Sequence, residues 1–402
     1  MQKYYVASIS LQVFSGVILN KEEIKEYTID EKVQICRDMW DLLEKSQQYF
    51  ERDLKKCLKL IEDVYLARKL IPTAKFDISP SSILYSKSEI FPNMDIYTGD
   101  IKTIIGKNST NNENIWNINL KNNEQNITRK LFVSNLPESF DLRSSKANPV
   151  NGGSCILIPD NQGRCADCYN YAALSSVEGS ICRQLGIVVP QLSQQQSIDC
   201  WLVKKGKNKV CTGGQTFETF SYAMETKLCT QMSYPSTTYK TGSPEPCKFP
   251  SCQDCAGIDN YYWNFTGASL SYQDPWDTIT NALYNYGPVT VSICSLIPGF
   301  SVYKGGFYNP PTCGSIWCGT RQVDHAITVV GYGKTQSNER YYILKNSWGV
   351  NWGNKGFMNI SADMCSTLFN PGWITSIAPN NISNYCKDNA PNKSIIATDF
   401  VI

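Results

Sequence analysis

Histidine is almost absent from these 402 residues: there is one, His325. Any chemistry that needs an imidazole base therefore has a single candidate. Excess charge of one sign is also lacking, since 38 basic and 36 acidic side chains leave a formal net charge of +2. That balance gives no electrostatic reason to expect nucleic acid or an acidic membrane surface as a partner. Apolar runs are short and lie at the N-terminus, where Tyr4 to Leu11 and Val13 to Leu19 follow Lys3 and are broken by Gln12 and serines. Residues 1–19 are expected to form a signal peptide, with Val13-x-Ser15 as a small-residue cleavage site. No other stretch is long and apolar enough to span a bilayer, so no membrane anchor is expected.

Cysteine, by contrast, is plentiful. Seventeen cysteines in a chain of ordinary hydrophobicity point to an oxidising compartment, and six Asn-x-Ser/Thr sequons, at Asn108, Asn126, Asn264, Asn359, Asn381 and Asn392, agree with a secretory route. The length allows roughly two or three domains and a core large enough for an enzyme.

Composition divides the chain. Residues 21 to 70 are rich in Lys and Glu, with Ile35, Met39, Leu42, Leu43, Phe50, Leu54, Leu58, Ile61 and Tyr65 at helical spacing, which predicts one or two amphipathic helices ending at Ile71-Pro72. An Asn-dominated tract from Lys107 to Arg129 reads as an exposed connector open to proteolytic cutting. Beyond Leu136-Pro137 tryptophan, glycine and cysteine rise, and 14 of the 17 cysteines fall between Cys155 and Cys365. There a helical half precedes a strand-rich half, Val289 to Cys294, Ala326 to Tyr332 and Tyr341 to Lys345, which predicts an α+β domain with two lobes.

Within the helical half, Asn161-Gln162-Gly163-Arg164-Cys165-Ala166-Asp167-Cys168-Tyr169 precedes an apolar-periodic helix carrying Tyr171, Leu174, Val177, Ile181 and Leu185, with Gly186 as its stop. Asp167 reads as the N-cap and Cys168 as the first helical residue, where unpaired amides and the helix dipole favour a thiolate. Gln162 is near enough to aim an amide donor at the same point. The Cys165-x-x-Cys168 pair fits a nucleophile, a redox pair or half a zinc site equally well on this segment alone. Further on, Ser193-x-x-Gln196 predicts a capping box opening a helix to about Cys200, and Gly213-Gly214 precedes a helix carrying Phe217, Phe220 and Met224.

His325 opens the strand Ala326 to Tyr332. If the loop Gly333 to Glu339 closes a hairpin in which Gly331 faces Arg340, then His325 faces Asn346. An amide there would fix one imidazole tautomer and leave the other nitrogen for sulfur. Trp348 and Trp352 are placed to shield the pair from water.

At this point the chain resembles the papain-like cysteine proteases. The matching pieces run in the family's order: Leu136 to Arg143, Gln162 to Tyr169, Leu192 to Cys200, Cys211 to Gly214, Gly287-Pro288-Val289, Asp324 to Ile327, and Lys345 to Gly349 with Trp352-Gly353. The resemblance implies a two-lobed fold over residues 136–378, with a helical lobe and a β-barrel-like lobe, preceded by a helical propeptide at 20–135 and followed by a tail at 379–402. It implies an endopeptidase made as a zymogen, in which Cys168 is the nucleophile, His325 the base, Asn346 the orienter and Gln162 an oxyanion donor. Gly213 and Gly214 would let a substrate strand approach, and Trp348 would cover the Asn346–His325 contact. It implies no cofactor and no metal. The expected partners are protein or peptide substrates and the chain's own propeptide as inhibitor, with the protein a monomer in a lysosome or other acidic vacuole, or secreted. Exopeptidases of this family hold the substrate's terminal carboxylate with histidines, and this chain has none to spare.

The chain departs from the family's usual pattern at Ala166-Asp167 and at Tyr169, where Gly-Ser and Trp are common, and residues 21 to 70 do not follow the usual propeptide helix pattern. A charged Asp167 beside the thiolate would raise the thiol pKa. Similarity also implies disulfides Cys165–Cys211, Cys200 with a cysteine near Cys247, Cys155–Cys182, and Cys313 or Cys318 with Cys365. Cys252-x-x-Cys255 reads as disulfide partners in preference to a zinc half-site, and parity among the cysteines predicts that Cys386 staples the tail to the domain.

Overall fold

The computed structural model describes residues 26–45, 52–79, 136–163, 165–203, 211–263, 276–310, 323–362 and 368–389, with the isolated positions 82 and 206. The expected signal peptide, the Asn-rich tract and Cys313, Cys318 and Cys365 lie outside them.

Two helices form the N-terminal unit, α1 (Ile29–Lys45) and α2 (Leu54–Leu70). Asp53 caps α2 by accepting a hydrogen bond from the Lys56 amide at 3.0 Å, and the helix stops one residue before Pro72, which disfavours the α conformation at Ile71. Ile35, Met39, Leu43 and Ile61 are buried as the helical spacing predicts, whereas Leu54, at the first helical position, is exposed. A disulfide, Cys36–Cys57, joins the two helices at their interface. A pair this short has little core of its own, and a covalent staple offsets that deficit.

The chain then adds β1 (Ala74–Phe76) to the edge of the main sheet, pairing Ala74 with Gly306 and Phe76 with Tyr303 on β7 (Tyr303–Tyr308). Phe76 packs edge-on against Tyr308, so the apolar cores of the N-terminal unit and the sheet are continuous.

The sheet runs β1-β7-β10-β9-β8-β6-β11-β5, and β2 (Phe140–Asp141) pairs with β8 off that path. Its remaining strands are β5 (Asn260–Trp263), β6 (Val289–Ile293), β8 (His325–Lys334), β9 (Arg340–Lys345), β10 (Phe357–Ser361) and β11 (Phe369–Ser376). The expectation of a barrel-like lobe is corrected here: among the described residues β1 and β5 stand at opposite edges and do not pair, so the sheet stays open. One edge is capped by the N-terminal unit instead of by closure.

The other lobe is built on α3 (Cys168–Leu185), with the helical stretch Gln194–Leu202 and α4 (Thr216–Glu225) beside it. Gly186 ends α3 in the left-handed region at φ 70°, as its position predicts. The spacing predicts one apolar face, but every residue from Cys168 to Cys182 is buried. The helix is buried between the strand-rich lobe and the rest of its own lobe, and some of its polar side chains find partners on each side, though among the described residues Ser175 Oγ and Ser180 Oγ have none. Asn170 donates to the Gln194 carbonyl at 2.8 Å and Ser176 to the Pro288 carbonyl at 2.7 Å. Small residues permit that fit, since a Cβ at Gly179 would lie 2.3 Å from the Pro288 ring. Ser193 caps the next helical stretch through the Gln196 amide, while the Gln196 side chain reaches Tyr222, Lys227 and Cys229 and does not close the box.

Beside short helical turns at Thr238–Thr241 and Pro379–Asn381, the chain adds β3 (Leu228–Cys229) paired with β4 (Asp254–Ala256), α5 (Trp276–Asn285) against the sheet, and a five-residue C-terminal helix, α6 (Asn384–Asp388). Cys155–Cys182, Cys165–Cys211, Cys200–Cys247, Cys229–Cys252 and Cys255–Cys386 are disulfides. Cys252 and Cys255 are thus committed to different bridges, and the tail is stapled to β4. Replacing Cys255 and Cys386 together by serine is expected to cost about 2–4 kcal/mol of stability. A lower melting temperature with new proteolytic cutting around residues 379–389 would report it; unchanged melting would show that packing alone holds the tail.

Candidate active site

The candidate residues come from both lobes. Cys168 begins α3, His325 begins β8, Asn346 follows the last residue of β9, and Gln162 lies in the loop before the helix. Cys168 is the one described cysteine outside the disulfides, which separates it from Cys165, now bridged to Cys211. Its sulfur accepts from the Ala326 amide at 3.4 Å, which seats the thiol against the first residues of β8.

His325 Nε2 lies 2.8 Å from Asn346 Oδ1, and the same oxygen accepts from the Ser347 amide at 2.8 Å. An oxygen acceptor requires the proton on Nε2, so the neutral ring presents Nδ1 as its acceptor nitrogen. The expected register is corrected: Gly331 faces Ile343, and Arg340 faces Lys334, with a bulge between Val329 and Gly331. The ladder ends at Thr328 opposite Lys345, so Asn346 is not His325's cross-strand partner. Asn346 instead leaves the strand with its amide bonded to the Gly356 carbonyl at 3.0 Å, and only its side chain turns to the imidazole.

Trp348 packs on His325 with ring centroids 4.9 Å apart, and Phe300 and Trp352 pack around Trp348. All four rings are buried, so the imidazole–amide contact is shielded from water. Gln162 donates Nε2–H to the Cys165 carbonyl at 2.8 Å and its Oε1 accepts from Ser347 Oγ at 2.5 Å. Ser347, which pattern reasoning passed over inside Asn346-Ser347-Trp348, therefore orients both amides. Gly213, at φ +93°, and Gly214 follow the bridge between Ala166 and Thr212, which brings their backbone alongside the nucleophile loop. A Cβ on Gly214 would lie 2.6 Å from the Tyr169 ring, so the aromatic ring after Cys168 leaves room for glycine alone.

Asp167 behaves differently from its sequence reading. It occupies the N-cap position but its side chain makes no capping bond, and its Oδ1 is buried without a hydrogen-bond partner. Burial pushes its carboxyl well above the usual carboxylate range, which favours the neutral form. Burial likewise pushes the Cys168 thiol up to about 12 and His325 down to about 4. In this closed arrangement sulfur and imidazole are both neutral.

A comparison with protein families matches residues 136–369 to the model described as papain family cysteine protease. The chain belongs to that family. Among curated proteins it is 33% identical to cathepsin J of Mus musculus, over 50% of this chain and 56% of that one. It is 30% identical to cathepsin L2 of Homo sapiens, over 59% of this chain and 64% of that one. The chain thus spans somewhat under two thirds of the length of these relatives. Among solved structures, the Amb a 11 cysteine protease, a major ragweed pollen allergen, in its proform, shares the fold with a TM-score of 0.63 at 19% identity, covering 88% of this chain and 99% of that one. The digestive procathepsin L 3 of Tenebrio molitor larval midgut does so with a TM-score of 0.56 at 19% identity, covering 84% and 98%. The papain-like fold is therefore present, with helix and sheet combined.

The Asp167 environment yields a signed expectation. A carboxyl whose folded pKa is raised stabilises the fold at low pH, and that contribution is lost as pH rises from 3.8 through the folded value. Asp167→Asn is expected to melt higher than the parent at pH 8, with the advantage shrinking toward pH 4. An unchanged difference between the two proteins at both pH values would contradict a raised carboxyl pKa at Asp167.

Proposed function

We propose that this chain is the zymogen of a thiol-dependent endopeptidase. The contact that carries the reading is His325 Nε2 to Asn346 Oδ1, because it fixes the tautomer that leaves Nδ1 as the acceptor nitrogen, while the Ala326 amide, on the residue next to His325, holds Sγ. Nδ1 takes the thiol proton, and the thiolate attacks the carbonyl carbon of the scissile peptide bond. The oxyanion is met by the Gln162 amide and the backbone N–H of Cys168. As the C–N bond breaks, the imidazolium returns its proton to the leaving amine, leaving a thioester. Water, deprotonated by the neutral imidazole, then releases the acid and the thiol. Asn346 keeps the ring oriented through both steps, and Trp348 keeps that contact dry.

Gly213 and Gly214 offer backbone to an extended peptide, a mode in which main-chain hydrogen bonds supply affinity and pockets supply preference. The N-terminal unit acts as the chain's own inhibitor, supported by β1 on the sheet edge and by a core shared with the peptidase domain. The segment proposed to lie in the cleft falls outside the described residues. A neutral, buried Cys168–His325 pair suits a latent state, since an ion pair sealed from water and substrate is expensive to keep. A secreted or acidic-vacuole location fits the disulfides found in both the N-terminal unit and the peptidase domain.

Labelling with an epoxide-type thiol reagent tests the pair directly. The processed protein is expected to be modified at Cys168, and His325→Ala to react far more slowly; equal labelling of the two would sink the assignment. Gln162→Ala is expected to lower kcat by about 10²–10³-fold with the thiol still reactive. A peptide blocked at both ends is expected to be cleaved, whereas trimming restricted to free-ended peptides would make the enzyme an exopeptidase.

A further inference from the structure

A cavity of about 30 Å³ lies between the lobes, directly behind Asn346. Asp160, Ser175, Glu178 and Gln194 line it from the side of α3, Lys345 and Asn346 from the end of β9. Three of these present buried polar atoms without a hydrogen-bond partner: Ser175 Oγ, Gln194 Nε2 and Asn346 Nδ2. It also contains charge. One ammonium, Lys345, confronts two carboxyl groups, Glu178 and Asp160. Lys345 and Glu178 are buried, and Asp160 is partly so. Among the described residues no direct ion pair joins them, so they act on one another across the cavity.

We propose that Lys345 and Glu178, set on opposite lobes of this cavity, are positioning residues that hold Asn346 and thereby orient His325. The inference rests on the cysteine-protease reading above. Glu178 is anchored, its Oε1 accepting from the Leu192 amide at 2.8 Å. Lys345 is anchored by its backbone, which faces Thr328 on β8 and Phe357 on β10, and Asn346 is the next residue. With Glu178 ionised, attraction between the two side chains would draw the end of β9 toward α3, whose first residue is Cys168. Asn346 is thus held through its oxygen, by His325 and the Ser347 amide, while its Nδ2 faces the cavity without a hydrogen-bond partner among the described residues.

The charges that face Glu178 are Lys345 and Asp160; Tyr171 lines the same cavity, and Asp167 lies beyond Asp160. Two carboxyl groups sharing one ammonium in a low-dielectric space favour retention of one proton. Glu178 holds it, with burial raising its carboxyl to about 7 and Lys345 opposing that rise. As Glu178 ionises, negative charge appears behind the Asn346–His325 pair and stabilises an imidazolium there. Losing the carboxylate therefore makes the imidazolium easier to deprotonate; losing the ammonium makes it harder.

The test follows alkylation of Cys168 by iodoacetamide against pH in the processed enzyme, together with kcat and KM, for Glu178→Gln, Lys345→Met and the double variant. Each replacement keeps most of the side-chain volume, and the Glu178→Gln amide retains an oxygen for the Leu192 N–H. Glu178→Gln is expected to move the alkaline limb of the profile to lower pH and Lys345→Met to higher pH. Each single variant is expected to lose about tenfold in kcat with KM little changed, and the double variant to lose less than the product of the two. A purely structural role would lower the melting temperature and move neither limb. Limbs that coincide with the parent, or that move the same way in both single variants, overturn the inference. Epoxide labelling of the parent separates the two levels: an unlabelled parent fails the cysteine-protease reading, while a labelled parent with unmoved limbs fails this inference alone.

Discussion

The structure depends on one seam, where α3 meets the first residues of β8. The thiol starts a helix in one lobe and the imidazole starts a strand in the other, so neither lobe holds the pair alone. A seam that buries a whole helix must match the polar groups along it. Asn170, Ser176 and Glu178 do so by bonding to Gln194, Pro288 and Leu192. The same requirement sets the distance between sulfur and ring, because the Ala326 amide that donates to Sγ belongs to the strand carrying His325.

Burial is therefore both the means and the cost of the site. Sealing the pair from water fixes its geometry and makes the Asn346–His325 bond strong, yet it also holds the thiol and imidazole neutral. The N-terminal unit packs at the far edge of the sheet, where β1 extends the ladder and the disulfide Cys36–Cys57 steadies the two helices behind it. The departure at Asp167 fits the same picture. A charged aspartate beside the thiol would oppose the thiolate, but the residue is packed so deeply that burial raises its carboxyl pKa and disfavours the charge.

Much of the site was legible before folding because its members are rare or locally signed. One histidine leaves one base, a cysteine after a capping residue announces a helix N-terminus, and paired glycines before a helix announce a close approach. The hairpin register was not legible. Loop length suggested Gly331 opposite Arg340, but the bulge near Val330 shifts the ladder, and Asn346 reaches His325 by leaving the strand. Ser347 and the Lys345–Glu178–Asp160 cavity escaped for a related reason: each is an ordinary polar residue whose partner lies more than a hundred residues away in the chain or on the other lobe.

By itself the sequence pointed to the family, the order of helical and strand-rich halves and the candidate nucleophile and base, because these rest on residue type and short-range spacing. The family resemblance supplied three of the disulfides found, Cys155–Cys182, Cys165–Cys211 and Cys200–Cys247. The tertiary structure alone decided the open sheet, the strand register, the buried state of Asp167 and the charged cavity behind Asn346. Those depend on which distant segments exclude water from one another, and burial, unlike periodicity, is a property of the assembled lobes.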